Sequence, residues 1–244
     1  MTAGGVTKIT LGAANYKVKL VNLTNGYSTS QTEYDILATE PQLTICLDAN
    51  LVDGSSTGVR YALGSIIYDY SFTYYNPDGN VAYSSFKEIL QTKKGIMLNF
   101  YFNGCPPCNT EMPALVAASN ENLDIQVLMV NYYGYGDTNE VIQNFQKNKA
   151  ANSTLGFLNV ASSRIVYSNF SSIATNFPTT VLIDCNGQVV YFHVGSMTQT
   201  AFNSAFKTYL HNRYEKLHPS TQTASFDVTK YEVILPSSKF ELVF

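Results

Sequence analysis

The sequence is short of charge, of tryptophan and of long apolar runs. Only 14% of its 244 residues are charged and the net charge is −3, so no surface for nucleic acid or for an acidic membrane is expected. No apolar run reaches the roughly 18 residues of a membrane-crossing helix. The N-terminal stretch lacks a basic start followed by an apolar segment, so an exported form is expected to have lost its signal. Four cysteines are too few to frame a disulfide-rich scaffold in a chain this long. The histidines, His193, His211 and His218, show no ligand spacing and are expected at the surface. Neither a repeat nor a low-complexity segment is present. Tyrosine, by contrast, is abundant at 18, in a composition associated with exported proteins.

The stretch from Lys94 to Pro113, KGIMLNFYFNGCPPCNTEMP, stands out. Its apolar run from Ile96 to Phe102 reads as a buried strand. Asn103 and Gly104 break the run, Cys105-Pro-Pro-Cys108 follows, and Met112, Leu115 and Val116 then share one helical face. Two cysteines are thereby placed at a helix N-terminus. Unpaired backbone N–H groups and the positive end of the helix dipole stabilise a thiolate there, lowering a thiol pKa from about 8.5 to about 3.5–7.5. Cys105 is expected at the cap, accessible, as the attacking thiol. Cys108, one turn inward, is expected to resolve a mixed disulfide formed at Cys105. Pro106 and Pro107 suit a first turn, where an N–H has no helical partner. The alternatives for the pair are a zinc half-site and an inert disulfide. Zinc needs about four ligands, and Cys46, Cys185 and the histidines offer no second close pair, so no metal is expected. Cys46 and Cys185 read as buried spectators.

These residues resemble the thioredoxin superfamily, and within it the TlpA-like thiol–disulfide oxidoreductases. Asn99, six residues before Cys105, stands where thioredoxins proper carry a buried acid. Cys105-Pro-Pro-Cys108 is similar to a common active-site variant, and Glu111 and Pro113 complete a CxxCxxExP pattern, with Pro113 as the expected helix kink. Phe177-Pro-Thr-Thr-Val-Leu-Ile-Asp184 followed by Asn186-Gly187 looks like the family's cis-proline strand and hairpin. The resemblance departs at Gly104, where the family usually has Trp. It covers about residues 64–218 and implies an α/β fold, a thioredoxin-like central mixed sheet flanked by helices. It further implies a cis Phe177–Pro178 bond beside the cysteines, with the backbone before Pro178 pairing with a substrate chain. Glu111, three residues after Cys108 and so on about the same helix face, is implied as the group that moves the proton of Cys108.

Residues 1–63 read as a β-rich N-terminal region. Lys17–Leu23, with a turn at Asn25-Gly26, Tyr34–Thr39, Leu43–Leu47 and Val59–Leu63 are expected strands, and Asp53–Gly58 a loop. In the thioredoxin-like domain, 64–218, a hairpin is expected from Ile66–Tyr75 through Asn76-Pro-Asp-Gly79 to Val81–Tyr83, and Ser85-Phe-Lys-Glu88 is a capping box. Leu123–Asn131 is an expected central strand. Asp137-Thr-Asn-Glu140 is expected to cap a helix carrying Val141, Ile142 and Phe145, and Ile165–Ala174 to form another. Thr198 to about Leu217 has an amphipathic period, with Ala201, Phe202, Ala205, Phe206, Tyr209 and Leu210 on the buried face. The β-patterned tail, 219–244, is expected to add strands at Tyr231–Leu235 and Phe240–Phe244, packing on the N-terminal region. Tyr132, Tyr133 and Tyr135, set between glycines, either line a peptide-binding groove or pack on their own surface. Asn22, Asn152 and Asn169 each open a glycosylation-type triplet.

The expected function is thiol–disulfide exchange with protein thiols and disulfides, as an extracytoplasmic reductant served by an upstream redox partner, and without a cofactor. A binding module with a structural CPPC disulfide is the alternative, and a thiol peroxidase a further one. The exchange chemistry rests on Cys105 and Cys108. Direction of electron flow depends on potential and is not readable here.

Overall fold

The strand that leads to the cysteines, Gly95–Tyr101, is buried along its whole length and lies third of seven in the sheet, beside the middle strand. Its composition explains the position: an apolar strand of this kind needs cover on both faces. Alternation sends Ile96, Leu98 and Phe100 to one face and Met97, Asn99 and Tyr101 to the other. The computed structural model describes residues 60–217, together with strands at 16–20, 27–28, 33–36, 42–44, 48–49, 232–234 and 240–243.

Across the sheet the order is Val189–Val194, Thr179–Asp184, Gly95–Tyr101, Ile125–Asn131, Gly156–Leu158, Ser71–Tyr75 and Val81–Ser85. Gly95–Tyr101 runs parallel to Ile125–Asn131, which runs parallel to Gly156–Leu158. Its other neighbour, Thr179–Asp184, is antiparallel and sets Thr180 opposite Asn99. The helices Phe86–Leu90, Pro106–Glu121, Asn139–Lys149, Val160–Phe170 and Gln199–Ala205 flank this mixed sheet. Met97, Tyr101, Met112, Leu115, Ile142, Phe145, Phe202 and Phe206 form one continuous core together with Cys105 and Cys108.

By contact, the chain divides into two compact units, Leu51–Arg213 and Met1–Asn50 with Tyr214–Phe244. In the second unit Tyr16–Leu20 pairs antiparallel with both Glu33–Ile36 and Phe240–Val243, and Gln42–Thr44 pairs parallel with Glu232–Ile234. Asn25-Gly26, Asp53–Gly58, Asn22, Cys46 and His218 lie outside the described residues.

Several elements differ from the sequence reading, each for a local reason. Residues 60–63 form no strand; Tyr61 is instead buried against Phe170. The helix expected from Ile165 starts at Val160, because the Asn159 side chain accepts the Ser162 N–H and caps it there. Thr138, not Asp137, caps the helix Asn139–Lys149 by accepting the Val141 N–H. A π-helical segment, Phe206–His211, interrupts the C-terminal helix. Its wider turn rotates Tyr209 out of the buried face, and the ring stacks on Tyr191 with centroids 4.6 Å apart. Ser85 forms both halves of its capping box with Glu88. Asn169 is fully buried, which excludes it as a glycosylation acceptor in the folded chain, whereas Asn152 is exposed.

Candidate active site

Cys105 is the N-cap of the helix Pro106–Glu121, and its sulfur accepts the Cys108 N–H at 3.2 Å. No acidic side chain lies in the first turn to oppose a negative charge there. The two cysteines form a disulfide. Cys105 was expected to be accessible, yet it is 1% exposed, against 2% for Cys108. Both belong to the core, against which Phe102 and Phe177 pack. Exposure therefore does not tell the two apart. The cap does: the Cys105 sulfur receives a backbone donor at the positive end of a 16-residue helix.

Glu111 lies one turn after Cys108 and is 3% exposed. The Asn99 amide donates to Oε1 at 2.8 Å, and the Met197 N–H donates to Oε2 at 2.7 Å. Asn99 is also within 3.4 Å of the Thr180 hydroxyl. Burial dominates these two favourable bonds and raises the Glu111 carboxyl from 4.5 to about 7. The unfolded chain thus releases this proton before the folded chain does. The associated stability is fully present below about pH 4.5 and is lost as the pH rises through about 7. That loss reaches about 3 kcal/mol. Urea unfolding at pH 5 and pH 8 should show this fall, and Glu111→Gln should flatten it. Pro113 sits exposed within the same helix.

The Phe177–Pro178 peptide bond is cis. Phe177 lies within an aromatic cluster with Phe102 at 5.5 Å, Tyr132 at 5.1 Å and Tyr167 at 6.0 Å between ring centroids. Tyr132 contacts Tyr133 and Tyr135 in turn, and Tyr135 packs on Phe102 at 4.5 Å. The tyrosine loop is thus continuous with Phe102 and Phe177, which pack against the core that holds the cysteines. Tyr135 remains 65% exposed and Tyr133 36%. Gly134 is needed here because a Cβ would lie 2.4 Å from the Tyr132 ring. That ring also packs on Tyr167 and Phe177, at 4.8 and 5.1 Å between centroids, so moving it disturbs both contacts. Gly134→Ala is expected to displace the loop and to destabilise the protein by roughly 1–3 kcal/mol, measurable by thermal unfolding.

Two further loops reach the site: the sequence reading gave Asp137 only a capping role and gave Ser196 none. Asp137 accepts the Asn103 N–H and the Asn131 side-chain amide on one oxygen, each at 2.8 Å. The segment Gly195–Met197 touches three parts of the site. Gly195 N–H donates to the Pro178 carbonyl at 2.8 Å, Ser196 Oγ to the Pro107 carbonyl at 3.1 Å, and Met197 N–H to Glu111. Ser196 lies 89 residues from Pro107, and no local pattern announces the contact.

Cys185 is buried, His193 is half-buried, and His211 pairs with Asp124 at 3.0 Å. Among the described residues no group of three or more His, Cys, Asp or Glu side chains could hold a metal ion. None of their helices is long and apolar enough to cross a membrane.

The chain is similar to several known proteins. A family model described as a thioredoxin-like domain matches residues 82–210. The thioredoxin-like protein YneN of Bacillus subtilis (strain 168) is 29% identical over 116 residues, 46% of this chain and 65% of the relative. The matched region thus spans just under two thirds of that relative's length. A thiol:disulfide interchange protein from Bacteroides sp. superposes with a TM-score of 0.45 at 19% identity, over 61% of this chain and 90% of that one. StoA from Bacillus subtilis gives 0.43 at 17% identity, over 55% and 95%.

Proposed function

The chain belongs to the thioredoxin-like domain family, and from that premise we propose that it is a thiol–disulfide oxidoreductase acting on protein substrates. The observation that carries the reading is the Cys105–Cys108 disulfide at a helix N-terminus, with a buried Glu111 one turn further along the same helix. In the reducing direction the Cys105 thiolate attacks one sulfur of a substrate disulfide and releases the first substrate thiolate. Cys108 then attacks the Cys105 sulfur, giving the intramolecular disulfide and releasing the second substrate thiolate. Two electrons have passed to the substrate. An upstream dithiol partner returns them to the protein.

Glu111 takes the Cys108 proton in the second step. A carboxyl near pH 7 is matched to that transfer, and Asn99, which cannot exchange a proton, supports it by hydrogen bond. The backbone at Phe177, before Pro178, pairs with the substrate chain, and Tyr132, Tyr133 and Tyr135 contact its side chains. We place the protein outside the cytoplasm as a reductant, in keeping with the TlpA-like resemblance. We retain residues 1–63, 64–218 and 219–244 as its functional divisions.

A second reading, a structural CPPC disulfide in a binding module, is favoured by the burial of both cysteines. Insulin reduction separates the two. Exchange chemistry requires dithiothreitol-driven turnover by the wild type and none by Cys105→Ser; a structural disulfide requires no turnover by either.

A further inference from the structure

We propose that Asp137 and Ser196 are positioning residues that hold the Cys105–Cys108 turn from its two sides. The turn offers few polar handles. Pro106 and Pro107 have no N–H to donate, the Cys105 N–H is spent on the Phe102 carbonyl, and the Cys108 N–H on the Cys105 sulfur. Two handles are gripped from outside. The Asn103 N–H, two residues before Cys105, is held by the Asp137 carboxylate, and the Pro107 carbonyl, just before Cys108, is held by the Ser196 hydroxyl.

Both grips are anchored. Asp137 also binds the side chain of Asn131, a fully buried residue whose N–H donates to Ser163 Oγ at 3.1 Å. Ser196 lies between Gly195, bound to the Pro178 carbonyl, and Met197, bound to Glu111. The two residues therefore tie the turn to the central sheet and to the cis-proline segment. They matter once the disulfide is reduced, when no covalent bond holds the sulfurs together. Holding the turn keeps Cys108 close to Cys105, and the resulting effective concentration favours ring closure. Closure forms the Cys105–Cys108 bond, breaks the bond from Cys105 to the substrate and expels the substrate thiolate.

The inference rests on the exchange function proposed above, but its test does not need a protein substrate. The whole chain is equilibrated with dithiothreitol or glutathione buffers, quenched with acid and alkylated, and the Cys105–Cys108 population is read by mass. Asp137→Ala should shift the equilibrium roughly tenfold toward the dithiol, because it removes an acceptor that two donors share, and Ser196→Ala, which removes one bond, roughly fivefold. Asp137→Asn keeps an acceptor oxygen without the charge and should recover most of the loss, as should Ser196→Thr. An equilibrium unchanged in both alanine variants overturns the proposal. So does an Asp137→Asn shift as large as that of Asp137→Ala, which would assign the effect to charge. Should Asp137→Ala fail to fold, Ser196→Ala and Ser196→Thr carry the test. A wild type that shows the predicted equilibria but leaves insulin intact would remove the functional reading while the tethers stand.

Discussion

Cys108→Ser is expected to leave the protein covalently joined to its substrate, whereas Cys105→Ser should capture nothing. The Cys105 sulfur sits where helix N–H groups stabilise a thiolate, and the Cys108 N–H already points at it. Without Cys108 the mixed disulfide has no neighbouring thiol to resolve it and waits on slow external exchange. Non-reducing electrophoresis with an unfolded, disulfide-bonded protein should show a stoichiometric adduct for Cys108→Ser alone. Turnover should fall to background in both variants. An adduct that forms through Cys108 in the Cys105→Ser variant would reverse the assignment. Neither cysteine is exposed in the disulfide form, so the encounter must open the cover over Cys105.

Glu111→Gln is expected to slow the resolving step by roughly 100-fold near neutral pH, in the range of a lost general base. In the wild type the rate of that step should rise with pH through about 7, as Glu111 loses its proton and becomes able to accept one. The variant should lack this rise and recover only where the thiol ionises unaided, near pH 8.5 or above. Its fold should survive, because a flipped Asn99 amide can accept from the new Gln nitrogen while the Gln oxygen still accepts the Met197 N–H. Quenched-flow measurement of adduct decay separates this step from the first attack. An unchanged pH profile would return Glu111 to a structural role.

The parts of the site readable from sequence are those whose causes are local. A buried apolar strand, a two-residue break and two prolines after a cysteine place Cys105 at a helix cap without knowledge of any distant residue. The Ser85 capping box was legible for the same reason. Asp137 was visible but misassigned, since an acid before Thr138 suits a cap until the distant Asn103 N–H competes for it. Ser196 gave no signal, because its role exists only where a strand end meets the active-site helix. The strand Gly156–Leu158, three residues long, falls below any period that could declare it. Phe102 and Phe177, which pack against the core that holds Cys105, lie 75 residues apart in the chain yet meet ring to ring, a contact no local pattern announces.

The most direct test of the account is a single-turnover electron balance. The chain is reduced with dithiothreitol, freed of it, mixed at neutral pH with one equivalent of an unfolded disulfide-bonded protein, quenched with acid, alkylated and mapped. One Cys105–Cys108 disulfide should appear for each substrate disulfide lost, with Cys185 unchanged throughout. A Cys105–Cys108 bond that resists dithiothreitol, or a reduced pair that leaves the substrate disulfide intact, would contradict it.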